Sequence, residues 1–325
     1  MAESVFHLRG SACAESDMKK PAATFPSIAR LLFAALLPVL STRAAESPAA
    51  ATTNSVVLPF QLQRGHIMVP ARMNGSNALS LLLDTGYDLT MLHPDHVEAS
   101  ALKRTGRITI VGIAGEEPAG VFEGPAFDFS GLTWKPRRIA AFSADSPGRS
   151  RRRDGVLGSG FFRRFVVEIN SRDNTVTLHE PGHYAYSGPG EILPLTFKGT
   201  TPVVEASIHL PDQSEAKAQL EVDTGCDGAI CLGKHFVDAH QLAPTNSSAR
   251  TGGRVGVGGG ARTRPGHLPQ LLLGGLAIEK PSASFFLEGS PVDAPLAGHI
   301  GWELLRDFKV IFDYARKRMI LEPVR

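Results

Sequence analysis

A chain that carries one unit twice must fold it the same way twice and then bury the copies against each other. Here LLLDTGYDLTMLHP at 81–94 is answered by LEVDTGCDGAICL at 220–232, so that Asp-Thr-Gly, entered from and left toward apolar residues, recurs 139 positions later. A second pair of segments follows in the same order. DGVLGSGFFRRFVVEINSRDNTVTLHE at 154–180 aligns without a gap on AGHIGWELLRDFKVIFDYARKRMILEP at 297–323, at an offset of 143. That alignment matches Gly155 with Gly298, Gly158 with Gly301, Phe165 with Phe308 and Leu178 with Leu321. Two elements in one order at nearly one spacing mark a duplicated unit.

Each unit reads as β-rich. Phe165, Val167 and Ile169 alternate with Val166 and Glu168, and Phe308, Val310 and Phe312 alternate with Lys309 and Ile311. Polar clusters at Ser171 to Asn174 and Ala315 to Lys317 then turn the chain back into TVTL and MIL, which predicts two hairpins. GSGFFRRF and GWELLRDF have room for one or two helical turns only. Between motif and hairpin, RITIVGIAGEEPAGVF at 107–122 and RVGVGGGARTRPGHL at 254–268 predict Gly-rich β-hairpins with mobile tips. The join between the units falls in HYAYSGPGE at 183–191.

Length and charge permit this architecture and exclude others. A chain of 325 residues, 42% hydrophobic, can supply two cores. Its 34 basic and 32 acidic residues give no electrostatic case for a nucleic-acid partner, and the run Arg149, Arg151, Arg152, Arg153 reads as a solvated loop beside Pro147 and Gly148. LLFAALLPVL at 31–40, followed by STRAAES, has the pattern of an export signal and is too short to span a bilayer as a helix. Met18-Lys19-Lys20 supplies the charged start, so residues 1–45 are expected to be a signal peptide whose true start is Met18. The expected location is periplasmic or secreted, with no integral membrane span in the mature chain. Residues 46–59 then form a flexible tether, 60–188 the N-terminal lobe and 189–325 the C-terminal lobe. After the signal only Cys226 and Cys231 remain. On an extended strand they stand about 16 Å apart, too far for a disulfide, and both thiols are then free.

A carboxylate inside an apolar run is costly unless something pairs with it. Two units related by a pseudo-twofold axis would bring Asp84 and Asp223 face to face, where like charges cannot both ionise and one proton is shared. The ionised member can deprotonate a water attacking a carbonyl carbon, while the protonated member hydrogen-bonds the carbonyl oxygen. That chemistry requires neither cofactor, metal nor covalent intermediate. Gly86 and Gly225 permit the tight turns, Thr85 and Thr224 can tie one loop to the other, and Gly158 and Gly301 mark close backbone approaches.

The order Asp-Thr-Gly, Gly-rich hairpin, apolar-apolar-Gly, short helix and hairpin resembles the retropepsin and pepsin clan of aspartic peptidases over roughly residues 60–325. It looks most like bacterial retropepsin-like proteins with two such units on one chain. The resemblance implies an all-β acid-protease fold of two pseudo-twofold-related β-barrel lobes with short helices, and a monomer whose lobes pair within the chain. It also implies an aspartic endopeptidase acting on peptides or proteins, with Asp84 and Asp223 catalytic and Thr85, Gly86, Thr224 and Gly225 in the active-site loops. Gly158 and Gly301 back those loops. Gly112, Ile113, Ala114 and Gly115, with Val257, Gly258 and Gly259, would be flaps over the substrate. The chain departs from the family pattern after each motif, where Tyr87 and Cys226 replace a small Ala, Ser or Thr; Tyr87 is expected to narrow the cleft.

His179-Glu180-Pro181-Gly182-His183 matches the zinc-protease string H-E-x-x-H, but Pro-Gly breaks the helix that would put both histidines on one face. Gly256, Gly258 and Ala261 imitate a dinucleotide fingerprint without a following helix. A second functional reading is a catalytically inactive, retropepsin-like binding module of the cell envelope.

Overall fold

The computed structural model describes residues 54–75, 78–112, 115–142, 153–243, 252–256, 259–288 and 295–324. The expected signal segment, residues 46–53 of the expected tether and the two flap tips at 113–114 and 257–258 lie outside the described residues.

The duplication is written into the strand order. In the first lobe one sheet runs Arg104–Gly112, Gly115–Glu123, Arg138–Phe142, Met91–Leu92, Gly155–Leu157, Ala78–Leu83, His66–Met73, Phe127–Phe129 and Leu132–Trp134, with Gln61–Gln63 also on His66–Met73. In the second lobe the order is Gly252–Gly256, Gly259–His267, Ser282–Phe286, Ile230–Leu232, Gly298–Gly301, Glu215–Asp223, Thr201–His209, Gln270–Leu273 and Leu276–Glu279, with Thr196–Lys198 on Thr201–His209. Each strand of one has its counterpart in the other. Tight turns set the hairpins: Arg64-Gly65 and Ser130-Gly131 both take positive φ, the backbone that matches the twist of the strands they join. Apolar alternation sets the faces, as in Glu215–Asp223, where Ala216, Ala218 and Leu220 turn inward while Glu215 and Lys217 are exposed.

The lobes were expected to be barrels. Among the described residues neither sheet closes on itself, because the terminal strands of each path, such as Arg104–Gly112 and Leu132–Trp134, pair on one side only.

A third, six-stranded sheet joins the lobes in the order Ser55–Pro59, Thr175–His179, Val166–Asn170, Phe308–Asp313, Arg318–Pro323 and Glu191–Pro194. Its centre is the antiparallel pairing of the two repeated hairpins, with Val167 opposite Phe312 and Ile169 opposite Val310. The expected tether is therefore wrong at its C-terminal end. Ser55–Pro59 is an edge strand paired with Thr175–His179, since Leu58 is buried and Val56 half-buried on one face while Ser55, Val57 and Pro59 face out. The short helices Ser159–Arg164 and Trp302–Leu305 follow the repeated glycines, and Pro94–Ala99 and Lys234–Ala239 form a second equivalent pair. Phe162, on the first of these, packs its ring 5.3 Å from Phe312 and 5.6 Å from Tyr314. Such aromatic contacts add about 0.5–1.5 kcal/mol each beyond burial, here across the join between lobes. Among the described residues no helix is long and apolar enough to cross a membrane.

Candidate active site

Strands Ala78–Leu83 and Glu215–Asp223 run through the middle of their sheets, each beside a parallel neighbour, Gly155–Leu157 or Gly298–Gly301. Both deliver their Asp-Thr-Gly loop to the join. There the threonines cross-link the loops reciprocally. Thr85 N–H donates to Thr224 Oγ1 (3.1 Å) and Thr224 N–H to Thr85 Oγ1 (2.9 Å). The hydroxyls donate onward to the strand ends opposite, Thr85 to Val222 O at 2.6 Å and Thr224 to Leu83 O at 2.8 Å.

Each aspartate accepts the N–H of its own loop glycine, Gly86 to Asp84 and Gly225 to Asp223, at 2.9 Å in both lobes. The carboxyl groups then meet and hydrogen-bond each other. No side chain fits at the glycines: a Cβ on Gly225 would stand 2.1 Å from Asp84 Oδ2, and one on Gly86 2.8 Å from Asp223 Oδ1. Gly158 and Gly301 back the loops in the same way. A Cβ on the former would meet Leu89 O at 2.6 Å and Tyr87 O at 2.7 Å, and one on the latter Gly228 O at 2.2 Å.

The two carboxyls are not electrostatically equivalent. Burial pushes Asp84 well above the ordinary carboxylate range, and the charge of Asp223 and the hydrogen bond to it push further. Burial raises Asp223 too, but the neighbouring His299 opposes it, as does the hydrogen bond from Asp84. Both carboxyls are thus drawn toward the protonated form, with an imidazole working against that at Asp223 alone.

Around this pair the structure adds residues that the sequence reading did not assign. His299 lies with Nδ1 3.9 Å from Asp223 Oδ2. In the strand next to it is Glu221, whose carboxyl burial and the charge of Asp223 push up to about 8. Cys226 and Cys231 are not held apart by an extended strand, because the loop turns through Gly225 to Gly228 before strand Ile230–Leu232 begins, and their sulfurs stand 3.8 Å apart. Both thiols are free. Arg153, read as part of a solvated loop, is half-buried and within electrostatic reach of Asp84 and Tyr87. Tyr87 itself is half-buried, and burial followed by the charge of Asp84 disfavours loss of its phenolic proton. A comparison of the two units in register would have pointed to Glu221, His299 and Cys231, since they replace Leu82, Val156 and Met91 of the first copy.

The flap hairpins pair to their tips, Gly112 opposite Gly115 and Gly256 opposite Gly259; Ile113, Ala114, Val257 and Gly258 lie outside the described residues. Of the flap charges, Glu116 is exposed and Glu117 is buried, while Arg262 pairs with Glu288 at 3.1 Å. The H-E-x-x-H string is divided between strand Thr175–His179 and a 3-10 turn at Pro181–His183; His179 faces Glu168 at 3.4 Å, and Glu180 pairs with Arg164.

The family profile described as aspartyl protease matches residues 69–161. Among solved structures the chain is similar to the aspartic proteinase from Irpex lacteus, with a TM-score of 0.57 and 17% identity, over 83% of this chain and 97% of that one. The fold is that of an aspartic proteinase. No curated protein matches the sequence.

Proposed function

We propose that the chain is an aspartic endopeptidase, exported to the bacterial envelope or beyond, of the retropepsin-like kind with two Asp-Thr-Gly units on one chain. The observation that carries this reading is the facing of Asp84 and Asp223 at the ends of equivalent strands, in mutual hydrogen bond at the join of the lobes, Asp84 buried and Asp223 half-buried. Asp223, ionised, takes a proton from a water as it attacks the scissile carbonyl carbon. Asp84, protonated, donates to the carbonyl oxygen as charge develops there. The glycine N–H groups and the threonine cross-links hold both carboxyls in place, so little reorganisation accompanies the step. On this reading the two Gly-rich hairpins cover the bound peptide.

The second reading, a binding module without turnover, is favoured by Tyr87, whose half-buried ring stands beside the pair where the family carries a small residue. Asp84→Asn and Asp223→Asn variants separate the two. On the peptidase reading each lowers cleavage of a peptide library by about 10²- to 10⁴-fold, with the fold intact by circular dichroism. Equal cleavage by wild type and either variant would sink the carboxylate mechanism, and no cleavage by wild type from acid to neutral pH would favour the binding module.

A further inference from the structure

The lobes match in strand order but differ in one cross-strand row. In the first lobe Leu82, Val156 and Met91 are neighbours on three adjacent strands. The same register in the second lobe holds Glu221, His299 and Cys231. Three apolar residues of one copy are thus three ionisable residues of the other, all buried. Such a replacement costs stability unless the polar groups are used. Above the row the loop brings Cys226, so that Cys226, Cys231 and His299 offer ligand atoms within 4.8 Å of one another. His299 is 6% exposed, and its Nε2 is buried with no hydrogen-bond partner.

We propose that Cys226, Cys231 and His299 form a binding site for a divalent cation of the zinc class, set against Asp223. The ligand set fits that class, since two sulfurs and an imidazole select borderline-soft cations over calcium or magnesium. The spacing fits as well: two thiolates at zinc–sulfur distances of about 2.3 Å and a tetrahedral angle stand about 3.8 Å apart, and the sulfurs here are 3.8 Å apart. Charge balance suits burial. The cation displaces to solvent the protons held by the two thiols and by the ligating imidazole nitrogen, and M²⁺ with two thiolates and a neutral imidazole carries no net charge. Three protein ligands would leave a fourth position open, and Asp223 is the nearby carboxylate, its Oδ2 3.9 Å from His299 Nδ1.

Co²⁺ is the probe, because its spectrum reports thiolate ligation independently of any turnover, so that failure of the peptidase reading and failure of this one are distinguishable. The full chain, reduced and then freed of reductant and metal without air, is titrated with CoCl₂. Expected are one equivalent bound, a near-ultraviolet sulfur-to-cobalt band and tetrahedral visible bands, all displaced by ZnCl₂. Cys226→Ala and Cys231→Ala should each weaken binding at least about tenfold, and the double variant should lose the near-ultraviolet band. Cys226 is only partly buried, so Cys226→Ala keeps the test available if Cys231→Ala does not fold. Absence of the band in reduced wild type, or its persistence in the folded double variant, would overturn the site.

Discussion

Thr224→Val tests whether the reciprocal cross-link, rather than packing, holds the loops together. Thr224 is fully buried and nearly isosteric with valine, so the substitution opens no cavity. It removes the hydroxyl that accepts Thr85 N–H at 3.1 Å and donates to Leu83 O at 2.8 Å. Both backbone groups are left buried without these partners, at about 1–3 kcal/mol each, for a total loss of about 2–6 kcal/mol. Thr224→Ser is the control. It keeps the hydroxyl and removes one methyl, worth about 1 kcal/mol. Urea unfolding followed by tryptophan fluorescence reads both lobes, since Trp134 lies in one and Trp302 in the other. The result expected is an order of stability wild type, Thr224→Ser, Thr224→Val, with Thr85→Val resembling the last because Thr85 makes the mirror-image bonds to Thr224 N–H and Val222 O. A Thr224→Val protein as stable as Thr224→Ser would refute the account.

Gly225→Ala puts a Cβ 2.1 Å from Asp84 Oδ2, so it should displace the carboxyl and abolish peptide cleavage while the protein still folds, which circular dichroism and a cleavage assay check together. Glu168 gives an acid-side effect of known sign. The hydrogen bond to His179 holds its carboxyl below the ordinary glutamate value, against burial and with help from Lys309. The stability it contributes is present above the ordinary glutamate pKa and is lost as pH falls through the lower, folded value. Glu168→Gln should therefore flatten the acid limb of a plot of urea midpoint against pH; an unchanged limb would remove Glu168 from the account.

What the sequence made legible was whatever repeats along the chain. The paired motifs, the hairpins and the short helices are local patterns, and finding them twice doubled their weight. What it hid were neighbours across strands. Ser55–Pro59 looked like part of a tether because its small, polar surroundings outweighed the single buried Leu58. The two cysteines looked distant because five extended residues are long and five residues of a turning loop are not. A one-residue difference in length between the loops, eight steps from Asp84 to Leu92 against nine from Asp223 to Leu232, also shifts the gapless alignment, so that Cys231 falls opposite Leu92 although its partner in register is Met91.

That shift matters for the chemistry, because pseudo-twofold symmetry alone cannot say which carboxyl keeps the proton. Equivalent surroundings would leave Asp84 and Asp223 interchangeable. Here the row behind the first loop is apolar and the row behind the second carries Glu221, His299 and Cys231. Asp84 receives burial and the opposing charge of Asp223, with no cationic histidine against it to offset them. Asp223 has His299, which is itself drawn toward the charged form: burial works against its proton, yet Cys226, Asp223 and Glu221 outweigh burial and hold its pKa at about 9. An imidazole beside Asp223, with no counterpart in the row behind Asp84, makes the two surroundings unequal. The same three replacements that make a candidate metal site therefore also set the surroundings of the two carboxyls apart, and on the peptidase reading a cation bound there would favour the ionised form of Asp223 as the imidazolium does.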